Sequence, residues 1–168
     1  IAAGSLNTGE FLTLKSNASG TASVTRITSS SPEPIQGKVK VERFIPGRRK
    51  YRLIASSATT SSGNALQAGE EDFSIWGNWQ NRGNNTDGNQ GTLITGGSAG
   101  DGFDTQTNNA SLFTYDDVNR KYVGFTSDHG KNTKYTPLKA GVAYFMFVYG
   151  DRLNSVYATN PHNTVLTE

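Results

Sequence analysis

Apolar residues in this chain almost never recur at the three- and four-residue spacing that lets a helix bury one face. Where they repeat, they repeat every second residue, which is the period of a strand. Phe11 to Lys15 sets Leu12 and Leu14 on one side, and Thr21 to Ile27 alternates around Ala22 and Val24. Gly37 to Ile45 predicts a strand with Val39 and Val41 inward and Lys38, Lys40 and Glu42 outward. Tyr51 to Ala55, Phe73 to Trp76 and Thr92 to Thr95 are further short candidates. Ser111 to Tyr115 and Lys121 to Phe125 flank Asp116-Asp117-Val118-Asn119-Arg120, which predicts a hairpin. Val142 to Tyr149 is a continuous apolar and aromatic run, which predicts a central strand buried on both faces. Ser155 to Ala158 and Thr164 to Leu166 complete the series, and the best helical candidate, Asn64 to Asp72, offers only Ala65, Leu66 and Ala68 as apolar content.

Composition explains the pattern. The 168 residues include 19 Gly, 19 Thr, 16 Ser and 15 Asn, all weak helix formers and common turn residues. About ten short strands at regular spacing, with no crossover helices between them, predict an all-β fold: a β-sandwich of jelly-roll or Greek-key type with long Gly/Asn/Asp-rich loops. Residues 1–20 read as an N-terminal strand segment, either the remnant of a preceding β-rich region or an assembly strand, and residues 21–168 as a single sandwich domain. Asn78 to Thr107 is dense in Gly, Asn and Asp, and Trp76, Trp79, Ile94 and Phe103 are expected to hold it down as an ordered surface loop.

Zero Cys excludes a disulfide scaffold and thiolate chemistry, and two His exclude a multi-histidine metal centre. The longest apolar run falls far short of a membrane-spanning helix. The opening IAAGSLNTGEF has neither a basic nor an apolar leader region and does not begin with Met, so the chain is expected to be a mature product, a fragment or part of something larger.

Five stretches are distinctive in combination: VERFIPGRRKYRL (Val41 to Leu53), GNWQNRG (Gly77 to Gly83), LITGGSAGDGFD (Leu93 to Asp104), SLFTYD (Ser111 to Asp116) and FVYGDR (Phe147 to Arg152). In order and spacing they resemble a region near the C-terminus of very large surface proteins of Bacteroidota, many of them adhesin-like, gliding-associated or polysaccharide-acting. The resemblance spans about Leu12 to Leu166. It implies export by the type IX secretion system, an extracellular or outer-cell-surface location, a non-catalytic role and a sorting domain following this region. Tyr149 departs from the pattern, standing where the family often has Arg.

Three sets of residues are candidate sites. Arg43, Arg48, Arg49 and Arg52 belong to the basic run between residues 38 and 52, which suits either a polyanion site or ion pairs with carboxylates such as Glu42, Asp101, Asp104 and Asp151. A net charge of only +2 argues against a nucleic-acid partner. Trp76 and Trp79, with Gln80 and Arg82 beside them, suit a sugar-binding platform if the indoles are exposed, or a hydrophobic core if they are not. Asn85 to Asn89, with Asp87 and Asn89, has the alternating oxygen ligands and Gly of a calcium loop but not its terminal bidentate Glu; Asp101 and Asp104 are candidates to join it, although Asx turns use the same residues without a metal. No nucleophile-elbow motif surrounds His129 or His162. The resulting expectation is a non-catalytic extracellular domain for display, adhesion or self-assembly, with strand addition by residues 1–10 as a route to a filament. The alternative is a carbohydrate-binding module attached to a polysaccharide-acting enzyme. Self or a surface glycan are the expected partners, with no cofactor beyond calcium.

Overall fold

The computed structural model describes residues 6–9, 12–25, 35–58, 74–81, 91–154 and 162–168. Among these residues there is no α-helix, only strands, turns and two short 3-10 turns, so the all-β expectation holds.

Two sheets enclose the core. The larger has four antiparallel strands: β7 (Lys50–Ala55), β10 (Ala143–Val148), β8 (Leu112–Asp116) and β9 (Lys121–Gly124), adjacent in that order. The smaller has β11 (Thr164–Thr167), β6 (Val39–Ile45) and β2 (Leu12–Leu14), with β11 antiparallel and β2 parallel to β6. The chain passes from one sheet to the other between β6 and β7 and again between β10 and β11. Ile45 and Leu166 from the smaller sheet meet Ile54, Leu112, Tyr144, Met146 and Val148 from the larger in one buried cluster, which makes the arrangement a β-sandwich. Ile75, Trp79, Ile94, Phe103, Phe125 and Leu138, all outside the strands, join the same cluster. The loop residues expected to anchor Asn78 to Thr107 do so at Trp79, Ile94 and Phe103, and residues 82–90 lie outside the described residues.

The opening segment pairs within its own chain. β1 (Leu6–Asn7) runs parallel to β5 (Ile35–Gln36), and β2 supplies an edge of the smaller sheet. A small hairpin follows, β3 (Ser16–Asn17) with β4 (Gly20–Thr21), its turn closed by the Asn17 side-chain oxygen, which accepts from the backbone N–H of Ser19 at 2.8 Å and of Gly20 at 3.2 Å. The hairpin overturns the outward placement of Glu42. That side chain is only 7% exposed because Ser16 lies over it, donating its N–H to Glu42 Oε2 at 3.2 Å, while Lys15 Nζ sits 3.5 Å from Oε1.

Other strand expectations shift locally. Ala22 to Thr25 continues beyond β4 without strand pairing, and Ser74 and Thr92 form isolated bridges, to Pro137 and Asp151, where longer strands were expected. Asn64 to Asp72, Phe73 and Ser155 to Ala158 lie outside the described residues. The largest correction concerns the run Val142 to Tyr149. It is central, as expected, but burial alternates along it: Tyr144, Met146 and Val148 are buried, while Ala143 is exposed and Phe145 and Phe147 are half-buried. Only one face of this strand is covered.

Candidate functional site

The tryptophan segment is a tight turn recruited to the core. Ile75 and Trp76 donate their backbone N–H groups to the carbonyls of Thr136 and Thr133, at 2.9 and 3.0 Å, which ties residues 74–81 to the 133–137 stretch. Trp79 is 0% exposed: its indole packs edge-on against Tyr144 with centroids 5.4 Å apart, and its N–H donates to Glu168 Oε1 at 3.2 Å. Glu168 Oε2 in turn accepts from the Ser57 backbone N–H and hydroxyl, both at 2.8 Å. Burying an indole with its N–H satisfied is the most favourable use of so large an apolar group in a chain short of apolar residues. Trp79 and Gln80, fully enclosed, are therefore unable to present a sugar platform. Trp76 is half-buried, and Arg82 lies outside the described residues.

Three separated sequence stretches meet at Arg152. Its Nε and Nη2 donate to Asp104 Oδ1 at 3.1 and 2.9 Å, and its Nη1 donates to the Gln80 carbonyl at 2.8 Å. The guanidinium carbon lies 4.0 Å from the centroid of the Trp76 ring. Gln80 Nε2 donates to Asp104 Oδ2 at 2.9 Å and to the Gly102 carbonyl at 3.2 Å. GNWQ, GFD and GDR are thus one junction, in which a planar cation is clamped between a carboxylate and an indole. Its hydrogen bonds fasten three stretches of the chain to one another, while Gln80 Oε1 is buried without a hydrogen-bond partner among the described residues.

The expected calcium cluster does not assemble from the described members. Asp104 faces Arg152, whereas Asp101 accepts from the hydroxyls of Ser98 and Ser127, each at 2.7 Å. Those hydrogen bonds, Ser98's first and Ser127's next, hold the Asp101 carboxyl below the usual aspartate range. Among the described residues no group of three or more His, Cys, Asp or Glu is placed to hold a metal ion. Asp87 and Asn89 lie outside them. His129 closes a turn, its Nδ1 lying 2.8 Å from the Gly124 carbonyl oxygen and 3.1 Å from the Thr126 hydroxyl.

The four arginines of the basic run are distributed rather than gathered. Arg43 donates to the Ala55 carbonyl at 3.0 Å, Arg52 reaches the Pro46 carbonyl at 3.4 Å, Arg49 lies 5.5 Å from the Tyr149 ring centroid, and Arg48 is exposed. Among the described residues none of the four has a carboxylate within 4 Å, because Glu42, Asp101 and Asp104 are engaged elsewhere and Asp151 accepts from the Leu153 N–H at 2.8 Å.

The surface that stands out is one the sequence reading did not assign. The outward positions of the larger sheet are Tyr51, Leu53 and Ala55 on β7, Ala143, Phe145 and Phe147 on β10, Phe113 and Tyr115 on β8, and Tyr122 and Gly124 on β9. None is charged. Tyr51, Tyr115 and Tyr122 are about half exposed, and Leu53 is 65% exposed. The rings form one connected layer. Tyr51 stacks on Phe145 at 4.7 Å with 5° between planes, and Tyr122 approaches Phe145 from β9 at 4.9 Å. Phe147 meets Tyr51 edge-on at 5.1 Å, Tyr115 meets Tyr122 at 5.3 Å, and Tyr149 extends the layer from Phe147 at 4.8 Å. A solvent-facing sheet face is ordinarily polar, so a continuous aromatic one is the candidate contact surface. The signal was present in the sequence as alternate aromatic or large aliphatic residues in Tyr51 to Leu53, Phe113 to Tyr115 and Phe145 to Phe147, but it reads the same as burial. Among the described residues no helix is long and apolar enough to cross a membrane. No protein-family model, curated protein or solved structure matches the chain.

Proposed function

We propose that this domain is a non-catalytic contact module, working by display, adhesion or self-assembly, with the aromatic outer face of the four-stranded sheet as its contact surface. The observation that carries the reading is the chargeless aromatic layer from Tyr51 to Tyr122, left half in water by a chain with few apolar residues to spare. A fold without a use for that face would place Thr, Lys or Glu there at no loss to its core. The junction at Arg152 supports the same reading, since it fastens loops and engages both carboxylate oxygens of Asp104 within the chain. The five motifs add the proposal of an extracellular or outer-cell-surface setting, like that of the type IX-secreted proteins they resemble.

The test is retention of the purified chain on three supports: immobilised copies of itself, cellulose and chitin. Wild type is compared with a Leu53→Lys/Tyr122→Lys double variant, which puts two charges into the layer at exposed positions. Loss of retention on any support in the variant is the expected result. Equal behaviour of the two proteins on all three overturns the reading.

A further inference from the structure

We infer that the occupant of the aromatic face is a second copy of the same face, giving a reversible dimer packed sheet to sheet. The inference rests on the contact-module reading and goes beyond it by naming the partner.

Ring geometry argues first. A sugar stacks on the free flat side of an aromatic ring, and the central ring here has none to give. Phe145 is flanked by Tyr51, from the adjacent strand β7, at 4.7 Å and by Tyr122, from β9 two strands away, at 4.9 Å. Tyr51 and Phe145, 5° from parallel at a separation close to the spacing between adjacent strands, turn their flat sides to one another, and Tyr122 leans in on Phe145 at 32°. With Phe147 edge-on to Tyr51 and Tyr115 edge-on to Tyr122, the rings of the layer cover one another and leave an uneven apolar surface. Such a surface is filled by another row of side chains, as in the core between two sheets stacked about 10 Å apart.

Charge argues second. A partner carrying Lys, Glu or Arg would bury those charges against a face with nothing to pair them. The outward strand positions of a copy bring none, Arg49 lying at the Tyr149 end of the layer. A two-fold interface requires only that a patch complement itself, and an uncharged apolar layer meets that condition.

Area sets the strength. The half-exposed tyrosines, Leu53 and the half-buried phenylalanines leave on the order of 500 Å² of apolar surface in water on each copy. Two copies would therefore cover on the order of 1,000 Å² in total, which is the lower bound for a specific interface. The dimer should exchange freely, with dissociation at micromolar to millimolar concentration.

Sedimentation equilibrium between about 10 μM and about 1 mM, a range set by that weak expected affinity, tests the inference. Wild type should rise from the 18.1 kDa monomer toward twice that mass. The Leu53→Lys/Tyr122→Lys variant should stay monomeric or dimerise at least tenfold more weakly. Val118→Lys, at a hairpin tip that is 90% exposed and outside the layer, should dimerise as wild type does. A Leu53→Thr/Tyr122→Thr variant, which keeps strand propensity, should also weaken the dimer, and thermal melts of all variants separate lost association from lost folding. Sulfate should strengthen the dimer and sodium chloride should not weaken it, as burial of apolar area requires. A wild type monomeric throughout, or a folded double variant that dimerises equally well, overturns the inference. A monomer whose retention on cellulose or chitin still depends on Leu53 and Tyr122 would sink the self-pairing and leave the contact-module reading intact.

Discussion

Arg152 turns two of its nitrogens onto a single oxygen of Asp104, at 3.1 and 2.9 Å, while the other Asp104 oxygen takes the Gln80 amide. Both charged side chains are largely out of water, with 9% and 14% of their surface exposed. Removing one partner of such a pair leaves the other charged and poorly solvated. Asp104→Ala should therefore lower unfolding free energy by about 3 kcal/mol. Arg152→Lys keeps the charge but loses the planar fork and the stacking on Trp76, and should lose about 1–2 kcal/mol. Urea unfolding followed by tryptophan fluorescence reads both, and an Asp104→Ala midpoint equal to wild type would remove the junction as a stabilising element.

Glycines serve the loops of this fold in two distinct ways. Gly96 has φ +103°, and a Cβ there would lie 2.6 Å from the Cα of Ala110, a backbone atom that cannot step aside. Gly141 has φ +76° with nothing within 4 Å. Gly141→Ala therefore meets backbone strain alone, about 1 kcal/mol, whereas Gly96→Ala adds a steric clash and should lose about 3 kcal/mol. Thermal melts of the two variants side by side check the difference. Equal losses would mean that the 96–110 approach is not tight.

What the sequence made legible was whatever two-residue alternation encodes locally. Strands β6, β7 and β10 and the β8–β9 hairpin fall where Val39, Val41, Tyr51 and the Asp116–Arg120 turn place them. Contacts that join distant stretches were not legible. Asp104 and Arg152 are 48 residues apart, and Gln80 and Arg152 are 72 apart, so no window contains the junction although each of its motifs was noticed. Glu42 looked like an outward charge because the hairpin that covers it comes from Ser16, 26 residues earlier. The aromatic face was hidden for a different reason. Phe145 and Phe147 facing water and Phe145 and Phe147 facing a second layer give the same string, and only the solved arrangement of neighbours tells one covered face from two.

Tyr144, packed against Trp79 and Phe125, has its phenol pushed above the usual value of 10.0 by burial, which disfavours the phenolate. The sign follows from linkage. In the unfolded chain this phenol releases its proton near pH 10, while the folded chain still holds it. Its contribution to stability is complete below pH 10 and is lost as pH rises through the folded-state value. Stability should fall above pH 10, and Tyr144→Phe should flatten that limb of the profile. Denaturant midpoints collected between about pH 8 and pH 11, a range bracketing the ordinary tyrosine value, check it; an unchanged alkaline limb in the variant would assign the loss to other groups.

The β8–β9 hairpin closes around Asp116, whose Oδ1 accepts the N–H groups of Val118 and Asn119 at 3.0 Å each and whose Oδ2 accepts the Asn119 side-chain amide at 2.8 Å. The Asn119 side chain is the main cause holding this carboxyl below its usual range. A lowered folded-state value gives support that is present above about pH 4 and is lost as pH falls below it, so the turn should loosen in acid before the sandwich does. Four residues beyond Asp116, Arg120 takes φ +50° to bring the chain back into β9. That left-handed position, at the end of the loop, is where a hairpin prefers glycine, and a residue with a Cβ there is strained by about 1 kcal/mol. Among the described residues no hydrogen bond or ion pair ties the Arg120 side chain to a partner that would repay the strain. Arg120→Gly should accordingly raise unfolding free energy by up to about 1 kcal/mol, reduced somewhat by the greater freedom of glycine in the unfolded chain. Arg120→Asn should fall between the two, since Asn tolerates the same conformation. A glycine variant less stable than wild type would mean that the arginine side chain contributes more than its backbone strain removes.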